Sequence, residues 1–194
     1  MVKTSYYSNF CSALQSALSS LEVTTLDGSI IEPDDGLVQF CKLSELVAAS
    51  GGCQYMCGNG ASAAFANHMA LDWTKAGGIK TYSFSDSAIL TAAANDLGYD
   101  QMLSAPLGWY SKKGDLLVTI SSSGDSENVL NAIAVARSMG LQVVTLSGMS
   151  SGNRSRLLGD LNFYIPGKTY GIVESSHQVL LHAWLDRFLD IPYE

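Results

Sequence analysis

Two short runs of small and hydroxylated residues are the first candidates for chemistry. One is Cys57-Gly58-Asn59-Gly60-Ala61-Ser62-Ala63-Ala64; the other is Thr119-Ile120-Ser121-Ser122-Ser123-Gly124-Asp125-Ser126. Each follows an apolar run that reads as a strand and opens a segment with helical spacing. Unpaired backbone N–H groups at the positive end of a helix make a seat for an anion, and serine hydroxyls add donors. Ser and Gly are also ordinary turn and capping residues, the plainer reading of either run alone. Both runs, however, lie at strand carboxyl ends, where open α/β sheets bind ligands. Together they point to a phosphate pocket. Neither carries Gly-x-Gly-x-x-Gly or Gly-Lys-Ser/Thr, so no nucleotide cofactor is expected.

Histidine is scarce: His68, His177 and His182 are the only three. His68 and Asp72 are four apart on one predicted helix and so share a face. That helix opens at the first glycine-rich run, which puts the pair one to three turns from the expected anion seat. His182 sits among Leu180, Leu181, Trp184 and Leu185, and an imidazole in such a stretch reads, on that fact alone, as a core residue. His177 reads as a surface or capping residue.

These side chains need a scaffold. From residue 53 onward short apolar runs alternate with helical periods. The expected strands are Cys53–Cys57, Lys80–Phe84, Leu116–Ser121, Gln142–Ser147 and Leu161–Ile165. The expected helices are Ser62–Lys75, Ala88–Asn95, Gln101–Trp109, Ser126–Met139, Ser151–Leu158 and Glu174–Leu189. Such alternation predicts a parallel sheet covered on both faces. Residues 1–50 read as helical. Phe10, Leu14, Leu18 and Leu21 make one apolar stripe, and Leu37, Phe40, Leu43 and Val47 another, with turns at Asp27-Gly28 and Pro33–Gly36 and a stop at Gly51-Gly52. Two helices of that length cannot form a core alone, so they are expected to pack on the main domain or a partner subunit as an extension of a single 194-residue domain.

Composition excludes other classes. With 47% apolar residues the chain can bury a core. A formal net charge of −7 and no basic block argue against gripping nucleic acid. No apolar run approaches the ~18 residues of a membrane span, and Met1–Tyr7 lacks a signal peptide's apolar stretch, so a cytoplasmic protein is expected. Of the four cysteines, Cys53 and Cys57 fall in one strand, ~13 Å end to end, too far for a disulfide; the thiols read as free and buried.

The Gly58-Asn59-Gly60-Ala61-Ser62 turn, His68, the acid at 72, Asn95-Asp96 and the Ser121–Ser126 loop together resemble the sugar isomerase (SIS) domain. More narrowly, they resemble the bacterial phosphoheptose isomerases, which convert sedoheptulose 7-phosphate to a glycero-manno-heptose 7-phosphate. The resemblance spans about residues 36–189. It implies a three-layer α/β sandwich around a five-stranded parallel sheet of flavodoxin-like type, with the N-terminal helices added, and a homotetramer whose pockets lie between subunits.

The resemblance also implies roles. Ser62, Ser121, Ser123 and Ser126 fall on the family's phosphate-binding serines, with Ser122 where threonine is usual. Asp72 falls on the catalytic glutamate, one methylene shorter, and His182 on the catalytic histidine. Asn59 and Asp96 match polar positions of the sugar pocket, and Glu174 matches a glutamine. Some members are similar in holding zinc at the positions of His68, Asp72, Glu174 and His182. Eight residues of helix rise ~12 Å, so Glu174 can join His182 on one ion only if it precedes the last helix. The segment between Asp72 and Asp96 is shorter than usual and lacks the family's arginine-rich turn, which bears on substrate identity. The implied activity is aldose–ketose isomerisation of a phosphorylated sugar through an enediol. The rivals are a SIS-type regulator that binds the bacterial replication initiator, a form that lacks the histidine retained here as His182, and a sugar-phosphate sensor, which would carry a DNA-binding segment.

Overall fold

The short apolar runs and helical segments of the sequence become strands and helices in the computed structural model, which describes residues 5–193. In chain order they are α1 (Tyr6–Ser19), β1 (Glu22–Thr25), β2 (Ile30–Ile31), α2 (Pro33–Ser50), β3 (Gln54–Gly58), α3 (Ala61–Lys75), β4 (Thr81–Ser83), α4 (Ser87–Leu97), α5 (Ser104–Tyr110), β5 (Leu116–Ser121), α6 (Glu127–Met139), β6 (Gln142–Gly148), β7 (Leu161–Ile165) and α7 (Tyr170–Phe188). The expected helix at Gln101–Trp109 is a 3₁₀ turn at Tyr99–Gln101 followed by α5, and that at Ser151–Leu158 is a 3₁₀ turn at Arg154–Leu157.

The sheet has seven strands, ordered β2-β1-β7-β6-β5-β3-β4, rather than five. Five of them, β7-β6-β5-β3-β4, are parallel as expected. The two additional strands come from the N-terminal segment read as helical: β1 runs antiparallel to both β2 and β7. The signal for them was present. Val23, Thr24, Thr25, Ile30 and Ile31 are β-branched and flank Asp27-Gly28, a hairpin turn signature, and Gly28 has the positive φ, 83°, that such a turn uses.

Alternate strand residues feed two cores. Val118, Ile120, Val144 and Leu146 point to one face, where Phe40, Trp73 and Trp184 of α2, α3 and α7 cover them. Tyr55, Cys57, Leu117 and Val143 point to the other, under Leu107 of α5 and Val129 and Ala132 of α6. α1 packs on the start of α7 through Phe10, Leu14, Ala17 and Ile172. Phe40 stacks on Trp184 at 3.7 Å, and Trp73 lies 4.2 Å from Trp184. This aromatic block ties α3 to α7; losing either buried indole would cost about 3–5 kcal/mol. All four cysteines are free. Cys41 and Cys57 are buried and Cys53 half-buried, but Cys11 is exposed, because it falls on the solvent side of α1. Burial pushes the Cys57 thiol up to about 12, which makes it inert. Among the described residues no helix is long and apolar enough to cross a membrane.

The parallel strands change direction of winding between β3 and β5. In chain order their spatial sequence is second, first, third, fourth, fifth, the flavodoxin-like order. A crevice opens at that point beyond the carboxyl ends of β3 and β5, where both donor-rich turns lie.

Candidate active site

The two turns meet in one small cavity. Asn59 from the β3–α3 turn, Ser62 from the first turn of α3, Ser121 at the end of β5, Ser122, Ser123 and Ser126 from the β5–α6 loop, and Tyr170 and Glu174 from α7 line a space of about 160 Å³. Gly58 lets the first turn approach: a Cβ there would stand 2.7 Å from Ser62 Cβ and 2.9 Å from the Ile120 carbonyl oxygen. Ser126 is the N-cap of α6 with its side chain uncommitted to the helix, so its hydroxyl and the first-turn amides are available to a ligand. Ser122 is buried, and its Oγ has no hydrogen-bond partner among the described residues. An orphaned buried hydroxyl is costly unless a ligand satisfies it, and a phosphate oxygen would. Among the described residues lining this cavity none is Lys or Arg, so the donors it offers an anion are neutral.

Asn59 is held by a residue that the sequence reading did not single out. Asn59 Nδ2 donates to Asn128 Oδ1 at 2.9 Å, and Asn128 Nδ2 donates back to Asn59 Oδ1 at 2.8 Å. Asn128 is buried on the first turn of α6. The reciprocal amide pair joins the two donor-rich turns across the crevice. Asp96 does not take part: it lies exposed at the end of α4, where Asn95 Nδ2 donates to it. The helical period puts Asp96 on the outer face, while Ala93 takes the core position.

The second half of the site is a cleft between α3 and α7. His68 Nε2 and Asp72 Oδ2 are 3.2 Å apart, one turn apart on α3. The His182 ring lies 5.4 Å from the His68 ring, edge-on at 63°. Ligand atoms of His68, Asp72 and His182 all fall within 4.8 Å of one another. His182 is not a core residue: it is half-buried and lines a cleft of about 680 Å³ with Phe65, Glu174, Gln178 and Asp186. Its neighbours Leu181 and Trp184 take the buried side of the helix.

Gln178 is the other residue that sequence reasoning missed. Its side-chain amide lies 2.7 Å from His182 Nε2, a hydrogen bond that orients the ring. The spacing of four on one helix was the available signal. His177, expected at the surface, is fully buried, with Nε2 donating to the Ser147 carbonyl at 3.1 Å. Burial pulls its pKa down to about 4, so it is neutral.

Two imidazoles and a carboxylate beside an open cleft match the donor set of a catalytic zinc site, so these residues fit the ion. Glu174 does not join them. α7 begins at Tyr170, capped by Thr169, four residues before the expected start, so Glu174 lies inside the helix and stands ~12 Å of rise before His182. It lines both the serine cavity and the His182 cleft, linking the two halves of the site.

Residues 35–148 match the SIS domain. The chain is 34% identical over 191 residues to the phosphoheptose isomerase of Helicobacter hepaticus, covering 95% of this chain and 92% of that one. It is 37% identical over 136 residues to the phosphoheptose isomerase of Aliarcobacter butzleri, covering 66% of this chain and 70% of the relative. Its fold is similar to the solved phosphoheptose isomerase of Neisseria gonorrhoeae, with a TM-score of 0.82 at 28% identity over 96% of each chain.

Proposed function

This chain belongs to the SIS domain family, among the phosphoheptose isomerases, and on that premise we propose that it interconverts sedoheptulose 7-phosphate and D-glycero-D-manno-heptose 7-phosphate. The observation that carries the reading is Glu174 lining both the serine cavity and the His182 cleft. One extended phosphorylated sugar can therefore reach both, with its phosphate among the serines and its carbonyl end at the histidines.

The residues divide the work. The Ser121–Ser126 loop, Ser62 and the first-turn amides of α6 hold the phosphate and supply orientation rather than chemistry. Asp72 takes the proton from C1 of the ketose while His182 gives one to the C2 oxygen, forming the enediol. Asp72 then delivers to C2 a proton that can exchange with solvent while held on the carboxyl, and His182 recovers one from the C1 oxygen, leaving the aldose. A carboxylate and an imidazole suit this exchange because each can work near neutral pH. Gln178 holds the His182 ring in one orientation. His68, Asp72 and His182 would hold a zinc ion, which when bound polarises the carbonyl and the enediolate oxygens.

We further propose a cytoplasmic homotetramer. Val179 of α7, which lines this cleft, is 47% exposed and Leu71 of α3 is 61% exposed, and a second copy of the chain would cover them. Light scattering after gel filtration should give four chains' mass; a monomer would overturn it. The test of function is incubation with sedoheptulose 7-phosphate followed by NMR. The expected result is an aldose anomeric signal and, in D₂O, deuterium at C2. A ketose that stays unchanged and unlabelled would overturn the isomerase reading.

A further inference from the structure

A phosphate ester seated among neutral donors is sensitive to every charge nearby, and the head of α6 carries two carboxylates, Asp125 and Glu127. Left free, each would compete for the amides that bind phosphate and would repel a dianion. One side chain from a segment with no other part in the site engages both. Arg154 Nε donates to Asp125 Oδ1 at 3.3 Å, and Arg154 Nη1 donates to Glu127 Oε2 at 2.9 Å. Its Nη2 donates to the Asp125 carbonyl at 2.6 Å, and its backbone N–H donates to Asp125 Oδ1 at 2.9 Å.

The segment that carries Arg154 is locked against the serine loop independently of that guanidinium. Ser155 N–H donates to the Gly124 carbonyl at 2.9 Å. Gly124 has φ of +68°, and a Cβ there would overlap the Asn153 amide. Asn153 is buried and gives Nδ2 to the Ser150 carbonyl at 2.8 Å, while its Oδ1 accepts from Arg156 N–H at 3.0 Å. Arg154 itself is 54% exposed, as are Asp125 and Glu127 at 45% and 60%. Exposed pairs of this kind add little to stability, so the arrangement needs another account, and the charge balance of the neighbouring anion seat supplies one.

We propose that Arg154 is a positioning residue for phosphate binding: by engaging Asp125 and Glu127 it keeps both carboxylates off the amides at the head of α6 and offsets their charge. The inference rests on the phosphate reading of the serine cavity. It assigns the β6–β7 connection a part in ligand affinity without contact with the ligand.

The test is calorimetric titration of the full chain with inorganic phosphate and with sedoheptulose 7-phosphate. The proteins are the parent, R154Q, R154K and R154Q combined with D125N and E127Q. R154Q keeps the backbone clamp, so the loop stays in place. Its affinity for both ligands should fall roughly fivefold to tenfold at low salt, and the deficit should shrink in about 0.3 M salt as charges are screened. R154K should recover part of the loss, and removing the two acids should recover most of it. In turnover, KM for the sugar phosphate should rise in R154Q while kcat holds. Affinity in R154Q equal to the parent's, or a loss that neither salt nor the acid substitutions relieve, would overturn the inference alone. A parent that binds neither ligand would overturn the reading of the cavity, and this inference with it.

Discussion

The rings of His68 and His182 stand 5.4 Å apart, edge to face, although one belongs to the helix after the first parallel strand and the other to the last helix of the chain. The Trp73–Trp184 contact behind them sets that spacing. Each indole is buried close in sequence to its histidine, so the aromatic block that joins α3 to α7 also aims the two imidazoles into the cleft.

Catalysis should depend on Asp72 and His182. Asp72→Asn and His182→Ala should each lower kcat by about 10²–10⁴-fold, the scale of a lost acid or base. Circular dichroism should be unchanged, since both side chains are only half-buried. Parent-like turnover in both variants would place the chemistry elsewhere.

Ser122 offers a test of the anion seat that separates binding from folding. Its buried hydroxyl has no protein partner among the described residues, so Ser122→Ala removes a desolvated group without orphaning another. The melting temperature should hold or rise, while phosphate affinity falls by roughly fivefold to tenfold, the weight of about one hydrogen bond. A variant that melts lower and binds phosphate as well as the parent would show the hydroxyl to be structural.

Zinc should bind with a stoichiometry of about one per chain in protein prepared without a histidine tag, and His68→Ala should abolish it. Elemental analysis of the two proteins reads this directly. Activity measured before and after chelation then shows whether the ion takes part; full activity in metal-free protein would leave Asp72 and His182 as an unaided acid–base pair.

His177 predicts an acid weakness that has nothing to do with turnover. Its folded pKa lies near 4, below the ordinary 6.5, because the charged ring cannot be solvated where it is buried. The unfolded chain therefore binds the extra proton first. The stability tied to neutral His177 is complete above pH 6.5 and is lost as pH falls from there towards 4, at up to about 1.4 kcal/mol per unit. His177→Gln can still donate to the Ser147 carbonyl but cannot titrate. Urea midpoints followed from pH 7.5 down to pH 4 should fall less steeply in this variant than in the parent; parallel slopes would sink the assignment.

What the chain determines by itself is local. The apolar runs Leu116–Ser121 and Leu161–Ile165 are strands with the expected ends, because a strand buried on both faces is built mainly of apolar side chains. The two donor-rich turns and the His68–Asp72 pair are equally local, since strand-end turns and an i, i+4 spacing are properties of a few consecutive residues. Tertiary structure decided what depends on residues far apart in the chain. The hairpin at Glu22–Ile31 carries its own turn signal, but only the pairing of β1 with β7 joins it to the edge of the sheet. The start of α7 at Tyr170 depends on Thr169 accepting from Ile172 N–H, and that one cap carries Glu174 away from the His68–Asp72–His182 cluster and into the link between cavity and cleft. Asn128 opposite Asn59, Gln178 on His182, and His177 sealed in the core follow from which helix face meets which neighbour. Helical period narrows that choice but does not make it, because a polar side chain on a half-buried helix is equally at home facing water, a partner or a ligand until the packing of the other layers closes one side.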